Sequence, residues 1–229
     1  MEIKIINKTE DEFPFLLKEI NDPPDKIYLK GKLPDVGNKI LAIVGSRKHS
    51  EYGKAVCEKL IRGLSGYNIS IVSGLALGID SIAHRTALDC NIQTIAFPGS
   101  GLDESVLYPK NHINLAREIV DKGGGLISEF EMMQQGNIWT FPKRNRLMAG
   151  ISHATLIVEA ELQSGTLITS KHASDYNREL GVVPGSILSP LSVGPNMLLR
   201  LGAIPIRDSE DILEMLNIKK KECGTDITD

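Results

Sequence analysis

The chain has 229 residues, 41% of them hydrophobic and 24% charged, which suits one large α/β domain whose core needs no disulfide or structural metal. Its formal net charge of −3 excludes a globally basic polyanion binder, so any nucleic-acid contact has to come from local clusters. No apolar run reaches membrane-spanning length, MEIKIINKTEDEF lacks a secretory h-region, and Cys57, Cys90 and Cys223 form no CxxC pair, so a cytoplasmic protein without membrane contact, zinc or other metal is expected.

In chain order, residues 1–39 come first and differ from the rest. Phe13–Pro34 holds FPFLLKEI and then Pro23-Pro24, which predicts a short helix and an extended strap packed on the main domain. Residues 40–216 repeat one theme, a short apolar run, a small-residue loop and an amphipathic stretch. The runs are Ile40–Val44, Ile69–Val72, Gln93–Phe97, Leu126–Ile127, Thr155–Val158, Leu180–Val183 and Ala203–Ile206. Near-continuous hydrophobicity of this kind suits strands buried on both faces. Between them, Ser50 caps a helix from Glu51 with Val56, Leu60 and Leu64 at four-residue spacing. Asp80 opens another with Ile82, Ala83 and Ala87. Pro109 starts a third, carrying Ile113, Leu115, Ile119 and Val120, which Gly123-Gly124-Gly125 ends. The alternation predicts a parallel sheet with right-handed crossovers. Residues 217–229 read as a polar tail that frays.

In such a sheet, ligands bind beyond the carboxyl ends of the strands. The loops expected there are Gly45-Ser46-Arg47, Ser73-Gly74 through Gly78, Pro98-Gly99-Ser100-Gly101, Glu159 through Ser164-Gly165-Thr166, and Pro184-Gly185-Ser186. A strand-to-helix turn needs glycine for its own geometry, so one such loop means little. Five on one rim point to an anion-binding edge, because glycine admits close backbone approach and helix N-terminal N–H groups favour phosphate. Competing motifs are missing. Glu104 breaks a GxGxxG begun by Gly99 and Gly101, and there is no GxxxxGK[ST], no HExxH and no serine at the centre of Gly74–Gly78.

The densest signal is Phe141-Pro142-Lys143-Arg144-Asn145-Arg146. From Met132 to Val158 no acidic residue occurs, and a second positive cluster holds Lys39, Arg47, Lys48, His49 and Lys54. Cations crowded into the first turns of a helix oppose its dipole unless an anion shares the site. Clustered charge is also what a solvated helix face carries. Arg146 is placed to be buried against Glu129 or Glu159, two carboxylates read as braces for cations. Phe141 reads as core, Trp139 fits either core or a stacking surface for unpaired bases, and Tyr108 before Lys110 is another aromatic beside a cation that suits unpaired bases. The histidines are scattered, and His84 reads as a hydrogen-bonded structural residue.

Several blocks in fixed order resemble the DNA-processing protein A (DprA/Smf) family. They are Gly45-Ser46-Arg47 with Ser50, Tyr52 and Gly53; SGLALGIDSIAHRTAL at 73–88; GLDESVLYPKNHINL at 101–115; ISEF at 127–130; FPKRNRLMAGIS at 141–152; EAELQSGTLIT at 159–169; VVPG at 182–185; and VGPNMLLRLGA at 193–203. FPFLLKEINDPPDKIYLKG matches the family's strap, and the resemblance covers about residues 13–213. It implies an extended Rossmann-like parallel sheet flanked by helices on both faces. It also implies non-enzymatic binding of single-stranded DNA without strong sequence preference, dimers, and loading of the RecA recombinase in transformation, with no cofactor.

The implied DNA contacts are Arg47, Lys48, Lys110, Lys143, Arg144, Asn145 and Arg146. The implied phosphate loops hold Gly45, Ser46, Ser73, Gly74, Gly99, Ser164, Gly165 and Thr166. Apolar residues of Ile204–Leu216 are candidates for the dimer surface. The chain departs from the family in having room for neither the N-terminal helical domain nor the C-terminal winged-helix-like domain of many members, in EFEMMQQGNIWT replacing a proline- and glycine-rich loop, and in NREL where GREV is common. The other reading is a sensor or phosphoribohydrolase-like enzyme of a small nucleotide on a related fold, although PGGxGTxxE is absent.

Overall fold

In the segment Lys39–Val44, Leu41 and Ile43 enter one hydrophobic cluster while Ile40 and Val44 enter another, as the two-residue period of a strand dictates. In a computed structural model that describes residues 2–220, this strand lies inside a nine-stranded sheet buried on both faces. In chain order the elements are β1 (Ile3–Asn7), α1 (Phe15–Lys18), β2 (Lys26–Gly31), β3 (Lys39–Val44), α2 (Glu51–Arg62), β4 (Ile69–Ser73), α3 (Ile79–Asp89), β5 (Thr94–Ala96), α4 (Ile113–Asp121), β6 (Gly125–Ser128), α5 (Thr140–Ile151), β7 (Ala154–Ile157), α6 (Gly165–Asp175), β8 (Glu179–Val182), α7 (Val193–Arg200), β9 (Ile204–Pro205) and α8 (Ser209–Met215).

The strand order is β1-β2-β6-β5-β4-β3-β7-β8-β9. All pairings from β6 to β9 are parallel, and β1 and β2 add an antiparallel edge. The fold is therefore the expected Rossmann-like α/β sheet. The chain runs outward from β3 through β4 and β5 to β6, then returns to place β7 on the other side of β3. The gap between β3 and β7 is the topological switch point, where loops above neighbouring strands diverge and leave a crevice.

Among the described residues two large clusters sandwich the central strands, and a third packs α4 on β2, β5 and β6. On one face Leu60, Ile61, Ile79, Ala83, Ile212 and Leu213 from α2, α3 and α8 pack on Leu41, Ile71 and Leu156. On the other, Leu17, Leu147, Ile151 and Leu198 from α1, α5 and α7 pack on Val44, Val72, Ile95 and Ile157. Burial of Ile206, Ile212, Leu213, Met215 and Leu216 in the first cluster corrects the expectation that the apolar residues of 204–216 offer a dimer surface.

Two other departures have physical causes. The extended part of the N-terminal segment is a strand pair within the sheet, registered Ile3↔Lys30 through Asn7↔Lys26. A two-residue alternation is blurred in β1 because it is an edge strand with one buried residue, Ile6. Pro109 leads into a 3-10 turn, Lys110–His112, and α4 begins only at Ile113. The expected tail lies outside the described residues from 221 onward. No helix among the described residues is long and apolar enough to cross a membrane.

Candidate nucleic-acid interface

The crevice at the switch point is an open cleft of about 580 Å³. The loop after β3 supplies Gly45, Ser46, Arg47 and Lys48, the loop after β7 supplies Glu161 and Ser164, and α6 supplies Gly165, Thr166 and Thr169. The third wall is Ile138 with Phe141, Pro142, Arg144, Asn145 and Met148 of α5, and Asp80 and Ala76 lie at its base. Of the expected residues, Gly45, Ser46, Arg47, Lys48, Arg144, Asn145, Ser164, Gly165 and Thr166 are thus brought together.

The first turn of α6 forms the anion-facing side. Ser164 caps the helix, its Oγ accepting from the Thr166 N–H at 3.1 Å. Gly165 is exposed, and a side chain there would meet nothing within 4 Å. The Thr166 and Leu167 N–H groups are held by Ser164, and the positive end of the helix dipole opens onto the cleft, favouring an anion by about 0.3–1 kcal/mol. Opposite, the Arg47 guanidinium lies 5.3 Å from the centre of the Phe141 ring. The ring holds the cation over the cleft from its apolar side while its charge stays exposed.

Arg144 and Asn145 hold the walls in register. Arg144 Nη1 donates to the Gly74 carbonyl oxygen at 2.5 Å and Nε to Asn145 Oδ1 at 3.1 Å, and Asn145 Nδ2 donates to the Gly165 carbonyl oxygen at 3.2 Å. One relay thus links the β4 loop, α5 and the start of α6. Arg144 is 3% exposed. Burial draws its guanidinium down to about 10, partly countered by Asp80, so it stays charged at neutral pH. Burial pushes the Asp80 carboxyl up, and Arg144 and the N–H groups of Ala76 and Gly74 oppose that shift. Next to them Leu75 has φ of 59°, a left-handed conformation that costs a bulky residue energy, and its carbonyl accepts from His112 Nδ1 at 2.8 Å.

Several expected contacts lie elsewhere. Arg146 is turned away from the cleft, its guanidinium bonded to Glu129 Oε2 at 2.5 Å, the Asp22 carbonyl oxygen at 2.6 Å and Asp22 Oδ2 at 3.1 Å. It ties the N-terminal segment to α5 and is not available to a ligand. Glu129 is the brace expected for it, whereas Glu159 braces no cation. It accepts from the Ser50 N–H at 2.9 Å and the Ser50 hydroxyl at 2.5 Å, extending the cap of α2. Lys143 stays half-exposed outside the cleft, 3.4 Å from Glu129 and over the Phe130 ring. Lys110 is exposed on the turn before α4, also outside the cleft lining.

Ser73, Gly74 and Gly99 are buried and do not line the cleft. The Ser73 hydroxyl donates to the Ile43 carbonyl oxygen at 2.7 Å. A Cβ on Gly74 would come within 2.5 Å of Asp80 Oδ2 and 2.6 Å of Arg144 Nη1, and one on Gly99 would strike the Phe141 ring. These glycines make room for the residues that build the cleft. Phe141, expected in the core, is half-buried and forms part of the wall. Glu161 falls in the expected loop from Glu159 to Thr166, whereas Ile138, Met148 and Thr169 were not singled out, and only the exposed Ile138 beside Trp139 carried a signal, an apolar pair ahead of a helix start. Among the described residues there is no group of three or more His, Cys, Asp or Glu side chains that could hold a metal ion.

The family model for DNA recombination-mediator protein A matches residues 4–217. Protein Smf of Escherichia coli is 38% identical over 212 residues, covering 93% of this chain, which spans only 56% of that protein. DNA processing protein DprA of Streptococcus pneumoniae is 39% identical over 204 residues, covering 89% of this chain and 71% of that protein. Among solved structures, DNA processing protein A from Streptococcus pneumoniae is similar with a TM-score of 0.87 at 35% identity, over 96% of this chain and 76% of that one. DNA processing protein A from Helicobacter pylori, whose structure addresses its single-stranded DNA binding mode, gives 0.81 at 30% identity, over 95% and 96%.

Proposed function

Because the chain belongs to the DNA recombination-mediator protein A family, we propose that the cleft between β3 and β7 binds single-stranded DNA by its phosphodiester backbone, without acting chemically on it. The observation that carries this reading is the convergence of Arg47 and the open N-terminal turn of α6 on one cleft at the switch point. A cation faces the positive end of a helix there, and both favour phosphate whatever base it carries. Lys48 adds a second charge at the mouth. Asn145 and buried Arg144 serve as positioning residues that set the distance between the two sides.

An open cleft suits a chain that enters and leaves, and exposed aromatic side chains at its edge suit unpaired bases better than a closed duplex. Delivery of the bound strand to a RecA recombinase, service in transformation, a homodimeric state and a cytoplasmic location are proposed on family membership alone. The test compares oligothymidylate, a duplex of the same length and thymidine monophosphate in a fluorescence-anisotropy competition. The single strand is expected to compete at least tenfold better than either of the others. Equal competition by the mononucleotide would replace this reading with that of a small-nucleotide sensor.

A further inference from the structure

We propose that Trp139 forms a base-stacking position just outside the cleft, where the strand emerges over the loop between β6 and α5. This rests on the reading of the cleft given above. Trp139 is 56% exposed and directly follows Ile138, which is 92% exposed and lines the cleft. Two large apolar side chains in water at the mouth of a binding site have no role in the core. The indole meets the Phe130 ring at 5.7 Å and 82°, an edge-to-face contact that leaves at least one face of the indole open to a planar partner.

The surroundings select the partner. Lys143 Nζ lies 5.7 Å over the other member of this pair, Phe130, with its side chain 48% exposed. A cation therefore stands beside the aromatic surface, as a phosphate joined to a stacked base requires. No acidic residue occurs between Met132 and Val158, so nothing along this stretch repels a polyanion. Glu131, at the far end of the loop, is already engaged by Lys26 at 2.8 Å and by the Tyr28 hydroxyl at 2.5 Å.

The loop is also held in place before any ligand arrives. The Gly101 N–H donates to the Gln134 carbonyl oxygen at 2.8 Å and the Asp103 N–H to that of Met132 at 3.2 Å. Thr140 Oγ1 accepts from the Asn137 N–H at 2.9 Å and donates to the Gly99 carbonyl oxygen at 2.6 Å. Stacking on a fixed ring loses little conformational entropy.

Trp139 is the single tryptophan of the chain, so its fluorescence reports on this position without further labelling. The full chain is titrated with a thymidylate dodecamer, with an abasic phosphodiester dodecamer and with a thymidine dinucleotide. Binding is followed in parallel by competition against a labelled oligonucleotide. The normal dodecamer is expected to quench the tryptophan strongly, while the abasic dodecamer binds without quenching. Trp139→Ala is expected to weaken the normal dodecamer by roughly 5- to 100-fold, the range for one stacked base, and to leave the dinucleotide and the abasic strand unchanged. Trp139→Phe should restore most of the lost affinity.

Dodecamer binding that depends on Arg47 but neither quenches Trp139 nor responds to Trp139→Ala would overturn the stacking position and leave the cleft standing. Equal quenching by the abasic strand would also overturn it. Absence of any oligonucleotide binding would remove the cleft reading and this inference together.

Discussion

Arg144 Nη1 donates to the Gly74 carbonyl oxygen at 2.5 Å, joining the loop after β4 to the helix that walls the cleft. The arginine is almost fully buried in the cleft wall with Asp80 near it, so its charge is part of the architecture. Arg144→Ala would leave Asp80 buried without its cation and Gly74 without its donor. The expected loss is about 1–3 kcal/mol of folding stability, the cost of leaving a buried acceptor unsatisfied, read from urea denaturation. A loss below about 1 kcal/mol, the worth of an exposed ion pair, would show that the residue is not structural.

Gly165 makes the opposite case. A side chain there meets empty space, and it would project from the first turn of α6 at the cleft. Gly165→Leu is expected to leave thermal stability unchanged or to raise it by up to about 1 kcal/mol through helix propensity. The same variant is expected to lower oligonucleotide affinity more than tenfold by occupying the phosphate position. Unchanged affinity would move the ligand away from this helix end.

Lys143 and Arg146 are three residues apart and have different tasks. The Arg146 and Glu129 side chains are 7% and 6% exposed, so Arg146→Ala strands a buried carboxylate. The cost is expected near the lower end of about 3–5 kcal/mol, because Lys143 still reaches Glu129 at 3.4 Å. Lys143→Ala is expected to cost less than about 1 kcal/mol in stability and to weaken single-strand binding severalfold. Denaturation and binding measured on both variants separate the roles, and equal stability losses would contradict them.

These two cations show what the sequence could and could not convey. The parallel strands were legible because burial on both faces demands unbroken apolar runs, as in Ile40–Val44. The edge strand β1 was not, because only Ile6 is buried there and its neighbours face solvent. In the cleft, Arg47 and Ser164–Thr166 were legible from a loop feeding a helix at a strand end. The facing of Lys143, Arg144 and Arg146 was not, because each helical step turns a side chain by about 100°. A run of cations therefore spreads over three environments that only the packing of α5 decides. Gly74 and Gly99 misled for a related reason: glycine admits a neighbouring protein side chain as readily as a ligand, and here it admits Arg144, Asp80 and Phe141.

His84 sets a pH dependence. It is fully buried, with Nδ1 2.7 Å from Thr94 Oγ1. Burial, aided by His112 and Arg144, draws its imidazole from 6.5 down to about 3. Between those values the unfolded chain binds a proton that the folded chain refuses. The stability that this group contributes is therefore complete above pH 6.5 and declines as the pH falls toward 3, at about 1.4 kcal/mol per pH unit. His84→Gln is expected to flatten that part of the stability profile relative to the native chain, as measured by denaturant midpoints from about pH 7 to about pH 4. Parallel profiles would mean that the imidazole charges in the folded state.

The most direct test concerns the cleft itself, through the salt dependence of single-strand affinity with and without Arg47. Arg47 is exposed, so Arg47→Ala leaves the fold intact. The native chain is expected to bind oligothymidylate with log affinity falling linearly with log salt concentration. The variant is expected to bind more weakly to every sequence, with a slope shallower by about 0.7, the share of one phosphate contact on a single strand. Identical affinity and identical slope in the two proteins would mean that the strand does not pass between Arg47 and α6.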